Sequence, residues 1–347
     1  MEELHTQPEG TSPSPEETPM DQNVRLMSPA RMVVRRFFRS QLSIVGLVMI
    51  VSLFLFSFVG PLVYTQWGEI ELDESGKVNY AVSQTTYEVD GKIYTLRQTT
   101  ETVEKDNSLA APSAEHPLGT DDQGYDILVR LMYGGRISLI VSFIAVFLIT
   151  ILGVIMGGIS GYFGGWVDNV IMRLCDVLIC LPGIPILLII STLLDASGID
   201  AQYRIYLLMI YLTFISWPGT ARLVRGQILS LREQEYMVAA EAMGYSAPRK
   251  IFKHLVPNVM PQLIVQMSLS LGSMILYEAT LSYLNLGVKA PYAAWGTMIE
   301  IISRDTNILQ NHLNVWVPAC ICIVIAVLGF NFVGDGLRDA LDPKARR

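Results

Sequence analysis

EYMVAAEAMGYSAPRKIFKHLVPN, residues 235–258, lies between two apolar runs that are each long enough to cross a bilayer, yet is too polar to cross one itself. Helical spacing places Tyr236, Ala239, Ala240 and Met243 on one face of a helix over residues 233–243. The adjacent alanines are the smallest side chains that still favour a helix, so a partner surface can come close. Gly244 can adopt the left-handed conformation that stops it. Ser246 can cap a second helix, and Pro248 suits its first turn. Ile251, Phe252 and Leu255 give that helix an apolar side, and Arg249, Lys250 and Lys253 a basic one. Pro257 is expected to end it. Two readings remain open on these residues alone: a docking element for another protein, or an interfacial helix resting on lipid headgroups.

The surrounding chain is that of a polytopic membrane protein. Of its 347 residues, 51% are hydrophobic and 16% charged, against roughly a quarter charged in soluble domains. Mean hydropathy is +0.39. Six apolar runs are expected to span: residues 42–63, 137–161, 170–194, 205–223, 262–286 and 315–333. Pro218 is expected to break the fourth. The pair Gly153 and Gly157 reads as close helix packing.

Arginine and lysine set the orientation. They cluster before the first span (Arg25, Arg31, Arg35, Arg36, Arg39), between the fourth and fifth (Arg222, Arg225, Arg232, Arg249, Lys250, Lys253) and after the sixth (Arg338, Lys344, Arg346, Arg347). Both termini and the 235–258 stretch are therefore expected in the cytoplasm of a multi-pass cell-membrane protein. The expected organisation is a disordered tail and basic lead-in over 1–40, a first span over 41–64, an extracellular insertion over 65–115, and a core of five spans over 116–347 with a cytoplasmic loop at 225–260. Residues 78–99 alternate around Asp90-Gly91, which predicts a β-hairpin in the insertion. Residues 121–133 predict an amphipathic helix on the outer surface, with Tyr125, Leu128, Val129 and Met132 along one side.

Several functions find no support. The net charge is −7 and no basic face suggests nucleic acid. Gly76-Lys77 and Gly91-Lys92 are not followed by Ser or Thr, so there is no phosphate-binding loop. No zinc motif or activated nucleophile is legible, and an enzyme is not expected. Cys175, Cys180, Cys320 and Cys322 all lie in apolar runs and read as small buried hydrophobes. Arg173 and Asp176 read as a local ion pair. Glu278 lies deep in the fifth span without an obvious cationic partner and reads as a structural hydrogen-bonded group or as part of a transport pathway or gate; Asn285, at the end of that span, is a second pathway candidate. An ion-coupled carrier and a scaffold remain as other classes.

The 235–258 stretch resembles the signature cytoplasmic loop of binding-protein-dependent ABC importer permeases, in which Glu-Ala-Ala, three residues and Gly lead on to Leu-Pro. Ala239, Ala240 and Gly244 match that spacing, and Val256-Pro257 stands for Leu-Pro. Val238 replaces the glutamate. Residues 116–139 (HPLGTDDQGYDILVRLMYGGRISL), 217–244, 278–299 and 331–347 resemble the C-type subunit of oligopeptide and dipeptide permeases, with Tyr125 where Arg is usual and Asn285 where Gly is usual. The resemblance implies the six-helix fold of type I ABC importers and one half of a heterodimeric pore in the lipid bilayer. It implies a second permease subunit, two ATPase subunits that hydrolyse ATP with Mg2+, an extracellular solute-binding protein and a peptide substrate. It also implies no cofactor on this chain, and ATPase coupling through Tyr236, Ala239, Ala240, Gly244 and Pro257, with Ala240 closest to the ATPase groove. Oligopeptides are the expected cargo; dipeptides, nickel, glutathione and oligosaccharides are carried by similar systems.

Overall fold

The computed structural model describes residues 29–71, 78–89, 92–103, 107–199 and 201–342. Of the tail and lead-in expected over 1–40, residues 1–28 lie outside them. The basic lead-in forms α1, Pro29–Phe37. Ser40 caps α2, Gln41–Val63, by accepting a hydrogen bond from the Ser43 amide. Two antiparallel strands follow, β1 (Val78–Val89) and β2 (Lys92–Val103), with Val78 opposite Val103 and Val89 opposite Lys92. The Asp90-Gly91 turn is outside the described residues.

The remaining helices are α3 (Ile127–Phe163), α4 (Gly165–Cys180), α5 (Gly183–Ala196), α6 (Ala201–Leu231), α7 (Glu235–Ala242), α8 (Ala247–Tyr283), α9 (Trp295–Arg304), α10 (Thr306–Asn311) and α11 (Leu313–Leu341). Among the described residues, α2, α3, α8 and α11 are long and apolar enough to cross a membrane, and the α4–α5 pair is a fifth candidate bent by 77°. At 31 residues α6 is about 46 Å long. It is long enough to cross but less apolar. The expected count of six is reached only by including both.

Four local expectations are corrected. The third span is not one helix. Pro182 cannot donate to the ladder and forces Leu181 into an extended conformation, so the chain bends between α4 and α5. The fourth is not broken, since α6 runs through Pro218. The expected surface helix over 121–133 is instead the start of α3, capped by Asp126, whose carboxylate accepts from the Val129 amide at 2.9 Å. Tyr125, Val129 and Met132 are buried there. Finally, α8 runs through Pro257. Residues Lys250–Leu255 form π-type bonds, Val256 donating to the Ile251 carbonyl, and the helix continues to Tyr283.

The long α3–α6 seam depends on small residues. A Cβ on Gly153 would sit 2.5 Å from Thr220, and one on Gly161 would sit 3.0 Å from the Arg225 carbonyl. Gly157 faces the Ala221 carbonyl just as closely. The expected glycine packing is therefore present and extends by another turn. The main core gathers around Trp295, which is fully buried among α3, α8, α9 and α11.

Candidate functional site: an anchored helix with a bare face

The α6–α7–α8 connection is built by a six-residue stop signal. The Tyr245 amide donates to the Ala240 carbonyl (3.2 Å) and the Gly244 amide to the Glu241 carbonyl (2.9 Å). Gly244 has φ +71°, the left-handed residue that this bond pattern requires. Ser246 takes the N-cap backbone conformation for α8, but its side chain makes no capping bond.

One side of α7 is fixed. Met237 packs with Ile251, Leu255 and Val259 of α8 against Val224 and Ile228 of α6. Ala240 is 1% exposed and also turns inward. The other side is open: Val238 is 65% exposed, Met243 61% and Tyr236 39%, and Ala239 is exposed beside them. The face expected to carry Tyr236, Ala239, Ala240 and Met243 together is thus split. Ala240 supports the helix from within, behind the exposed Tyr236 and Ala239, and not on the open side where it was expected. Met237, which the spacing argument passed over, is the anchor. Its signal was the i, i+3 pairing with Ala240.

Polar contacts brace the same end. Lys250 is buried, with its ammonium 5.4 Å from the Tyr162 ring and 3.9 Å from Glu241. The Arg249 guanidinium lies 4.2 Å over the Tyr245 ring, which stacks on His254. Arg225 grips Asp168 with two bonds of 2.5 Å. Arg232 donates to the carbonyls of Gly161 and Tyr162 at the end of α3. Asp176 is held by Arg222 at 2.5 Å, while Arg173, the partner expected from sequence, lies at 3.9 Å and is 86% exposed. Pro257 is exposed at the first turn after the π-type segment.

At the opposite end, Glu278 is 2% exposed. Its carboxylate accepts from Ser138 (2.9 Å) and Ser282 (2.7 Å), and the Trp295 amide donates to the same Ser138 hydroxyl at 3.3 Å. Glu278 joins α3, α8 and the start of α9. Asn285 has φ +61° and ends α8 with the same bond pattern as Gly244: Leu286 donates to Leu281 and Asn285 to Ser282. It lines a cavity of about 350 Å³ together with Asp121, Asp122, Arg130, Glu300 and Arg304. Glu278 and Asn285 are thus close in sequence but differ in setting. Beside this cavity, Asp126 accepts from His116 (2.9 Å) and Tyr64 (3.4 Å), and burial together with Asp126 pushes the Tyr64 phenol up to about 12.

A family model described as binding-protein-dependent transport system inner membrane component matches residues 149–347, more than half of the chain. The chain belongs to this family. A second model, the N-terminal TM domain of oligopeptide transport permease C, matches residues 28–74. The dipeptide transport system permease protein DppC of Alkalihalophilus pseudofirmus is 35% identical over 346 residues, covering all of both chains. The oligopeptide transport system permease protein OppC of Bacillus subtilis is 38% identical over 241 residues, 70% of this chain and 76% of the relative. That of Escherichia coli is 43% identical over 242 residues, 68% and 76%. The protein is thus a membrane-spanning ABC importer permease of the oligopeptide/dipeptide kind, a transport component and not a member of a catalytic family.

Two departures of this permease from the family pattern have local explanations. Asn285 occupies a left-handed position, and asparagine is the residue besides glycine that tolerates it. Tyr125 is buried with its ring 4.6 Å from the Arg130 guanidinium, and its backbone amide donates to Asp121. Val238 lies on the open face of α7.

Proposed function

We propose that this permease forms half of the translocation path of an ATP-driven importer of oligopeptides, and that α7 with the turn after it is where an ATPase subunit docks. The observation that carries this reading is the asymmetry of α7: one side is locked into the spans, and the other is bare, exposing Tyr236, Val238, Ala239 and Met243 beside Glu235 and Glu241. An exposed apolar patch of this kind suits a protein partner. On this reading Tyr236, Ala239 and the Gly244 turn meet the ATPase, Ala240 backs them from inside, and Pro257 starts the spanning part of α8. With Val238 in place of the family's glutamate, contact rests on shape.

A second permease subunit completes the path, two ATPase subunits bind ATP and Mg2+, and an extracellular solute-binding protein delivers the peptide. This chain carries no cofactor of its own. The loop and both termini face the cytoplasm, and the hairpin of β1 and β2 faces outward. ATP binding draws the ATPases together, α7 moves with them, and the spans shift between inward- and outward-open states.

Dipeptides are the second reading. The relative named for dipeptide transport matches the whole length of this chain, insertion included, so the insertion does not by itself favour longer peptides. Reconstitution of the purified complex in vesicles tests both readings. The expected result is ATP-dependent accumulation of labelled oligopeptides, with dipeptides weaker. Preference for dipeptides overturns the cargo assignment. Uptake driven by a proton gradient without ATPase subunits overturns the importer reading itself.

A further inference from the structure

Helix α8 carries its polarity on the wrong side for a helix surrounded by hydrocarbon. Leu263, Leu271 and Ile275 are buried against the rest of the molecule. Gln266, Ser270, Ser273 and Tyr277 recur every three or four residues along the adjoining side, next to Leu263. There Gln266 and Ser273 are exposed, and Ser270 and Tyr277 are half-buried. Lipid-facing surface in this chain looks different: on α2 the exposed residues include Leu42 (60%), Val48 (60%) and Leu55 (56%). Polar groups left facing hydrocarbon without partners are costly, so a polar stripe within a span belongs against water or protein.

A second observation falls in the same place. The stripe forms one wall of a cavity of about 310 Å³, and Ser216 and Thr220 of α6 form another. The chemistry of the cavity is specific in what it offers. Its hydrogen-bonding groups are hydroxyls and one amide, with no carboxylate, ammonium, guanidinium or imidazole among the lining residues. Some of this capacity is used internally: Ser273 donates to the Leu269 carbonyl at 3.4 Å. Gln266 makes one bond, to the Ser270 hydroxyl at 3.3 Å. The rest of its amide is available, as are the Tyr277 hydroxyl and the acceptor lone pairs of the serines.

We propose that Gln266, Ser270, Ser273 and Tyr277, with Ser216 and Thr220, are this chain's share of the translocation path, a neutral wall that hydrogen-bonds the backbone amides of a passing peptide. The assignment rests on the peptide-import reading and deepens it. A wall without charge binds what all peptides share and does not sort them by side-chain charge. It also moves the path away from Glu278, whose carboxylate is already occupied by two serines.

The test uses the complete complex in vesicles, with Cys175, Cys180, Cys320 and Cys322 replaced by serine and single cysteines introduced by Ser270→Cys, Ser273→Cys and, as a lipid-facing control, Val48→Cys. A membrane-impermeant methanethiosulfonate reagent is applied from each side. The expected result is at least tenfold faster modification at the two stripe positions than at the control, a rate that changes with ATP, and loss of peptide uptake once Ser273→Cys is modified. Stripe cysteines as unreactive as Val48→Cys, with ATP-driven uptake intact, overturn the path assignment and leave the importer reading standing. Rapid modification without any effect on uptake also overturns it, because the surface is then wet but not on the path. Absence of ATP-driven peptide uptake in the unmodified complex defeats the importer reading instead, whatever the thiols report.

Discussion

The two ends of α8 are held by different forces. At the loop end, Ile251, Leu255 and Val259 meet Met237, Val224 and Ile228 through apolar contact. At the other end, Glu278 binds Ser138 and Ser282, the Trp295 amide shares that Ser138 hydroxyl, and the Trp295 indole donates to the Leu131 carbonyl at 3.0 Å. Apolar contact is non-directional and survives small sliding movements. A buried carboxyl group with its hydrogen bonds satisfied fixes one geometry, because leaving that geometry strands buried polar groups. On the docking reading proposed above, the apolar contacts of the loop end can slide with a partner, and the hydrogen bonds at Glu278 resist displacement.

The most direct way to break this contrast is Glu278→Ala. It strands the Ser138 and Ser282 hydroxyls and leaves a gap, at a cost of about 2–3 kcal/mol. The expected outcome is a clear fall in the unfolding temperature of the purified protein in detergent, with Glu278→Gln falling much less because an amide oxygen still accepts. Equal losses for both variants show that the charge matters and not the geometry.

At the loop end the corresponding change is Gly244→Ala. A side chain in the left-handed region costs about 1–2 kcal/mol, and nothing lies within 4 Å of the added Cβ, so the effect comes from backbone conformation alone. Ala is expected to lower ATP-driven uptake severalfold while changing thermal stability less than Glu278→Ala does. Gly244→Asn sharpens the point, since Asn285 already holds the same bond pattern at the far end of α8. Asn is expected to keep most of the uptake. Uptake lost equally with Ala and Asn means that an ATPase needs the bare glycine surface, not its conformation.

The long apolar runs, the glycine seam and the Gly244 stop could be read from the sequence because each depends on neighbours three or four residues away. Hydropathy runs straight through Leu181-Pro182-Gly183, so the 77° bend was missed although the proline that causes it was in view. Prolines 218 and 257 misled in the other direction, because surrounding helices and a π-type segment carry the chain through them. Periodicity also groups residues on α7 without saying which face turns inward. Tyr236 and Ala239 each differ from Met237 and Ala240 by a single residue step, and packing against α6 chose between them. Glu278 had no legible partner because Ser138 lies 140 positions away.

The smallest effect concerns the rim of the cavity beyond the Glu278 end. Burial, and then the neighbouring Asp121 carboxylate, hold Asp122 above the usual aspartate value; Arg304 and Arg130 oppose this. A carboxyl whose folded value is raised contributes stability that is complete below its unfolded value, about 3.9, and is lost as pH climbs through the folded one. At neutral pH Asp122 is therefore a mild liability. Asp122→Asn keeps the shape and removes the titration. It is expected to unfold slightly later than the parent at neutral pH and indistinguishably from it in acid below the ordinary aspartate range. A variant less stable at neutral pH shows that attraction to Arg130 and Arg304 outweighs burial. In that case this end of the molecule is held by ion pairs as well as by the Glu278 hydrogen bonds, and added salt should weaken it.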